Sequence, residues 1–270
     1  LRLTLLVAVA LNLLAGAAAW KFAKQNDVAR TNGVCLPQTT PTSSWRAPRW
    51  YLIGFALVGA TAIAYELAWT RLLATPLGSS TYAFSLMLAT FLLGIVFGSA
   101  VFEKWFRKTQ RATSTLFAAT QIGIAAAVLL SLWMYREIPE LLLALLRAVG
   151  DDFSGLLLAQ AAVCALVLLP VTILFGFNFP AVLALLSPGG AGGEIEWSGN
   201  VGRGVAANTF GAILAAILCG FYFLPRFGSF RLIAGAACLN VVLGMVLLLK
   251  ASPVNWKPLS LAVAVFIARR

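Results

Sequence analysis

Apolar residues fall in long unbroken runs along this chain, not in alternation. Eight runs follow one another, at about residues 1–20, 50–73, 82–102, 113–134, 155–186, 205–224, 231–249 and 258–268. A helix of about 20 apolar residues spans a bilayer. In lipid every backbone polar group must find its partner within the segment, so the long runs predict membrane-crossing helices. A transmembrane barrel would instead show short alternating segments, and none is present. The run 155–186 contains Pro170 and Pro180 and is expected to tilt, kink or break. The last run is too short to span, and the first begins without Met, so both ends read as the ends of a fragment or of an ordered region. The small residues at 15–19 also resemble a signal-peptide cleavage region, but only Arg2 precedes them as a basic flank, and the helix is the preferred reading.

The polar intervals orient the runs. Lys21, Lys24, Arg30, Arg46 and Arg49 lie in the interval 21–49, Lys104, Arg107, Lys108 and Arg111 in 103–112, and Lys250 and Lys257 in 250–257. With alternating helices these three intervals share one side, which the positive-inside rule makes cytoplasmic. The opposite side carries Arg226, Arg231 and the mixed stretch 135–153, where Leu141, Leu142, Leu145 and Leu146 predict a short amphipathic helix. The placement is a multi-pass protein of the inner, or cytoplasmic, cell membrane.

Residues 1–20 match 229–248 at Ala8/Ala236, Leu11/Leu239, Asn12/Asn240 and Gly16/Gly244, and six helices follow the first of these segments through the second. A chain of six-helix repeats is the simplest account. In it, 1–20 ends a preceding repeat and 21–49 is a linker, with Pro37, Pro41, Pro48 and the Thr/Ser run 39–44. Residues 50–250 form one complete repeat, and 251–270 hold a linker and the start of a further helix.

Composition agrees, with 61% hydrophobic and 11% charged residues, against roughly 25% charged in soluble domains. The net charge of +11 does not indicate nucleic-acid binding, because the basic residues sit in short clusters between apolar runs. There is no His, which excludes imidazole metal sites and Ser-His or Cys-His catalysis. Cys164, Cys219 and Cys238 lie in apolar runs, Cys35 lies in a polar loop, and no CxxC spacing occurs. Neither a metal site nor a disulfide framework is indicated, and no cofactor is expected.

Several strings carry more information: Tyr65-Glu66-Leu67-Ala68-Trp69-Thr70-Arg71, then Leu77-Gly78-Ser79-Ser80-Thr81-Tyr82-Ala83-Phe84-Ser85, then Phe91 to Ser99 with Gly94 and Gly98. Phe175-Gly176-Phe177-Asn178-Phe179-Pro180-Ala181 and Ala206-Ala207-Asn208-Thr209-Phe210-Gly211-Ala212 follow, leading to Gly220 and Leu224-Pro225. In this order, over about residues 50–250, the chain resembles the membrane region of the bacterial fused major-facilitator/spermidine-synthase-like proteins. The resemblance implies an all-α polytopic transmembrane bundle, a major-facilitator-like six-helix repeat with one flanking helix on each side. It also implies a transporter-like module for polyamines or related small cations. Such families couple the membrane region to a synthase-like domain, which this sequence lacks. The Gly-rich stretch 187–193 follows a membrane helix and not a strand, so it reads as a flexible connection.

Glu66 lies in or near the end of a membrane helix, where a carboxylate is costly unless protonated, paired or wetted. It is a candidate cation or proton site. The alternative is a structural ion pair with Arg71, which the nearness of Arg71 favours, and Thr70 is also within reach. Asn178, Asn208, Asn240 and Gln121 are polar groups in apolar helices. Asn178 and Asn208 are candidate substrate contacts, although interhelical hydrogen bonding is the readier explanation. Gly98, Glu103, Lys104, Arg107 and Lys108 are similar to the cytoplasmic loop of major-facilitator halves, where charges latch the inward face, and they read equally as topogenic charge. Gly94…Gly98 and Gly211…Ala215 read as packing faces. Trp50, Trp69, Trp105, Trp133 and Tyr135 read as interfacial anchors.

Two functions compete. One is transport, which needs a polar path near the midplane and a second six-helix repeat, upstream or in another subunit. The other is a non-catalytic scaffold anchoring a synthase-like domain or packing in a larger membrane complex. A path predicts that Glu66, Asn178 and Asn208 line one cavity, whereas a scaffold predicts that neighbouring helices satisfy each. An intramembrane enzyme has too small an ionisable inventory here.

Overall fold

The computed structural model describes residues 49–105, 114–150, 152–186 and 194–250. The first and last apolar runs, Cys35, Arg107, Lys108, Arg111, the stretch 187–193 and all of the 21–49 linker except Arg49 lie outside the described residues. The described residues are all-helical, without strands: α1 Arg49–Leu77, α2 Thr81–Trp105, α3 Ser114–Met134, α4 Ile138–Val149, α5 Phe153–Leu186, α6 Glu194–Leu218 and α7 Leu224–Lys250. Among them, five helical stretches are long and apolar enough to cross a membrane.

The turns follow from residue chemistry. Gly78, at φ 84°, ends α1, and the Ser80 hydroxyl oxygen accepts the Ala83 N–H at 3.1 Å, capping α2. The LGSSTYAFS string is therefore a helix-turn-helix connection. Asp152 caps α5 in the same way, accepting the Gly155 N–H at 3.1 Å. On α4, Leu141, Leu142, Leu145 and Leu146 are half-buried while Leu143 and Ala144 are exposed, as their spacing predicts. The fifth apolar stretch runs over 52 residues, 199–250, far more than one crossing needs. A wide π-type turn at Cys219–Phe223 interrupts it, and Gly228 leaves helical geometry at φ 77° and ψ 170°. Glycine adopts that backbone without a β-carbon clash, so the stretch folds into two arms.

Of the tilt, kink or break expected of this run, α5 excludes the break. It runs through Pro170 and Pro180 as one 34-residue helix. Neighbouring helices and hydroxyl groups can satisfy the carbonyls that prolines free in such settings. At about 1.5 Å per residue its length exceeds the ~30 Å hydrocarbon core.

α2 lies along α5, α1 along α6 and α3 along α7, while α1 also meets α7 and α3 meets α5. α2 and α5 are parallel: Tyr82 faces Phe153 at one end, with ring centroids 5.4 Å apart, and Phe102 faces Phe177 at 5.3 Å towards the other. α7 runs against α1 and α3. Lys250 sits over the Trp50 ring at 5.7 Å. At the opposite end Phe230 packs on Tyr135, whose hydroxyl donates to the Leu72 carbonyl at 3.1 Å. Gly204 lies beside Leu186 and Phe55, so α6 starts where α1 starts and runs parallel to it.

Small residues let these pairs close. A β-carbon at Gly98 would collide with the Ile173 carbonyl, and one at Gly176 with the Ile95 backbone. A β-carbon at Gly59 would strike the Asn208 carbonyl, and one at Gly211 the Ala56 carbonyl. Of the predicted packing faces Gly94…Gly98 and Gly211…Ala215, Gly98 and Gly211 are thus points of backbone-to-backbone contact, while Gly94 faces the Thr172 side chain.

Candidate functional site

α1 presents the string Tyr65 to Arg71 with helical periodicity. Tyr65, Ala68 and Trp69 are buried, Glu66 and Thr70 are half-buried, and Arg71 is exposed. Glu66 and Thr70 stand one turn apart on one side of the helix and face a cavity of about 20 Å³. Its walls are Tyr65 and Trp69 of α1, Phe84, Met87 and Phe91 of α2, and Thr172 of α5. A space of this size holds a single water-sized group.

Among the described residues, Glu66 and Arg71 form no ion pair, and no hydrogen bond reaches the Glu66 carboxylate. The Thr70 hydroxyl donates instead to the Glu66 backbone carbonyl at 2.8 Å. The Thr172 hydroxyl donates to the Leu168 carbonyl at 2.9 Å. Both hydroxyls are thereby committed as donors to their own helices, and their oxygens remain acceptors. Trp69 is 2% exposed, and its Nε1 has no hydrogen-bond partner among the described residues. It is therefore a core residue packed on Tyr135, with ring centroids 6.4 Å apart, and not the interfacial anchor its position in the sequence suggests.

The two candidate asparagines are not in this cavity. Asn178 is fully buried between α5 and α3, where its Oδ1 accepts the Thr120 hydroxyl at 3.0 Å. Its Nδ2 has no partner among the described residues. Asn208 packs on Gly59 in the α1–α6 seam. Glu66, Asn178 and Asn208 thus occupy three different helix contacts, and the cavity beside Glu66 holds neither asparagine. Glu103 and Lys104 lie exposed on the last turn of α2, while the other latch residues, Arg107 and Lys108, fall outside the described residues.

Other buried polar groups tie the helices together. Asn240 Nδ2 donates to the Tyr65 hydroxyl at 3.1 Å, joining α7 to α1. Gln160 Nε2 donates to the Leu77 carbonyl at 2.8 Å, joining α5 to the end of α1, and the Ser131 hydroxyl donates to the Val167 carbonyl at 2.9 Å. Gln121 is fully buried beside Gly244, with neither polar atom of its amide partnered among the described residues. Sequence reasoning singled out Glu66 but not the aromatic wall that α2 brings to it. Phe84 and Phe91 are seven residues apart, two helical turns, and nothing local ties that stripe to Glu66. No cluster of three or more His, Cys, Asp or Glu side chains suited to a metal ion occurs among the described residues.

No protein-family model, no curated protein and no solved structure matches this chain.

Proposed function

We propose that this chain is a transporter-like integral membrane module for polyamines or related small cations, with Glu66 as the cation-recognition residue. The observation that carries the reading is a helix carboxylate without an ion-pair partner among the described residues, facing a water-sized space walled by Tyr65, Trp69, Phe84 and Phe91. Aromatic faces attract organic ammonium groups, most strongly where water is excluded. A carboxylate within an apolar helix is costly unless it has a task or a partner. The cavity fits one ammonium group, and the polyamine class itself comes from the sequence resemblance.

Helix pairing supports the architectural half. Counting the two arms of 199–250 separately gives six passes. Exchanging α1 with α5, α2 with α6 and α3 with α7 carries the α1–α6 pairing onto α5–α2, carries α1–α7 onto α5–α3, and leaves α3–α7 in place. That is the pattern of a three-helix inverted repeat, the kind nested within each half of major-facilitator transporters. In this reading a second six-helix repeat completes the carrier, and 21–49 and 103–112 face the cytoplasm.

A second reading is a non-catalytic scaffold that anchors a synthase-like domain or packs in a larger membrane complex. Its specific support is that Glu66, Asn178 and Asn208 line no common cavity, while Asn178, Asn240 and Gln160 bond to neighbouring helices. Spermidine uptake into proteoliposomes holding the full native polypeptide separates the two. Transport predicts saturable uptake that Glu66→Gln abolishes without lowering the melting temperature. A well-folded protein that takes up no more spermidine than empty liposomes overturns spermidine transport by this polypeptide and favours the scaffold.

A further inference from the structure

Independently of Glu66, the opposite side of α1 carries a second kind of site. Beyond the tight crossing of Gly59 and Gly211, α1, α6 and α7 enclose an apolar groove of about 600 Å³, within the size range of small-molecule sites. Ala60 and Ala64 lie along it, and Leu214, Phe223 and Leu239 flank it. It ends at Phe227 and Arg231, which also line a second, more open concavity of about 690 Å³ together with Tyr222 and Arg226. No Asp or Glu lines either one. Both arginines are exposed, and among the described residues neither has an ion-pair partner.

Two backbone features make this arrangement. The π-type turn at Cys219–Phe223 places Cys219 and Phe223 on the groove wall, and such turns recur at functional sites. The break at Gly228 then folds the chain back, so Arg226 before it and Arg231 after it meet at one mouth. The result is a long apolar trough with two cations at one end.

We propose that this groove binds an anionic phospholipid, an acyl chain lying in the trough and the phosphate held between Arg226 and Arg231. Charge complementarity selects this occupant. An apolar helix would fill the trough equally well but would leave both guanidinium groups without a counter-ion, and a zwitterionic lipid would bring beside its phosphate a cation that the two arginines repel. Arginines that only snorkel to the interface would also draw anionic lipid, but filling the groove would leave that preference unchanged.

The test is native mass spectrometry of the full polypeptide in mild detergent, titrated with phosphatidylglycerol or with phosphatidylcholine of the same acyl chains. Each basic residue near a membrane surface favours anionic lipid about fivefold, so with two arginines retention of one phosphatidylglycerol is expected to exceed that of phosphatidylcholine about 25-fold. The double variant Arg226→Gln, Arg231→Gln should bring the two lipids within about twofold of each other. Gly235→Leu projects into the groove, with no atom within 4 Å of its β-carbon, and should reduce retention of both lipids. Gly202→Leu, equally unobstructed but outside the groove lining, should change neither. Equal retention of the two lipids by the unaltered protein overturns the proposal, as does a preference that survives the double variant. Retention that Gly235→Leu leaves intact places the lipid elsewhere and overturns it as well.

Discussion

The α2–α5 pair and the α1–α6 pair begin alike and end differently. Both are parallel, and both close through small residues that set one backbone against the other. α2 and α5 then stay together, from Tyr82 on Phe153 to Phe102 on Phe177. α1 and α6 touch at Gly59 and Gly211, then enclose a groove with α7. Gly94 and Gly98 of α2 meet Thr172, Ile173 and Phe177 of α5, so small residues keep the first pair closed for more than a turn. In the second pair the wide turn at Cys219–Phe223 and the break at Gly228 shape the open end. Small residues therefore bring helices together, and departures from helical geometry decide where they part.

The largest effect is expected from breaking the closed seam. A leucine at Gly98 has no room, because its first carbon already collides with the Ile173 carbonyl and lies 2.6 Å from the Phe177 N. Backbone on both sides leaves nothing flexible to yield, so overpacking should cost about 3 kcal/mol. A thermal-stability assay by size-exclusion chromatography in detergent should show Gly98→Leu melting well below the unaltered protein or failing to accumulate. A variant that melts unchanged would mean that α2 and α5 are not in backbone contact.

A smaller effect tests the bond that crosses between α1 and α7 beside the open groove. Asn240→Leu and Tyr65→Phe each remove the bond from Asn240 Nδ2 to the Tyr65 hydroxyl. Their double-mutant cycle should give a coupling of about 0.6 kcal/mol, the usual worth of an interhelical hydrogen bond in a membrane protein. A coupling near zero would indicate that the two side chains do not meet.

Much of this was legible because the deciding signals are local. Apolar runs locate the helices, the interval between the runs 205–224 and 231–249 holds the break at Gly228, and Leu141, Leu142, Leu145 and Leu146 mark the half-buried face of α4. The glycine spacings announced seams, though not their partners. Three features depend on distant residues and were not legible. α5 stays continuous through Pro170 and Pro180 within its packed surroundings. Trp69 is buried despite its place near a helix end, because Tyr135 packs against it. Arg71, five residues from Glu66, does not pair with it, since it lies on the exposed side of α1.

The smallest expected effect sharpens the comparison most. Gly235→Leu adds the same side chain as Gly98→Leu, also within an apolar helix. At Gly235, however, a β-carbon meets no atom within 4 Å and points into the groove. Leucine is the better helix former, and a side chain that displaces lipid from an apolar trough loses little burial, because lipid tails are as apolar as leucine. The melting temperature of Gly235→Leu should therefore match that of the unaltered protein, a change within about 0.5 kcal/mol. A loss comparable to that of Gly98→Leu would mean that another helix fills the groove in the native protein. The α1–α6–α7 face would then be a closed seam like α2–α5, and Arg226 and Arg231 would flank a protein contact instead of a lipid.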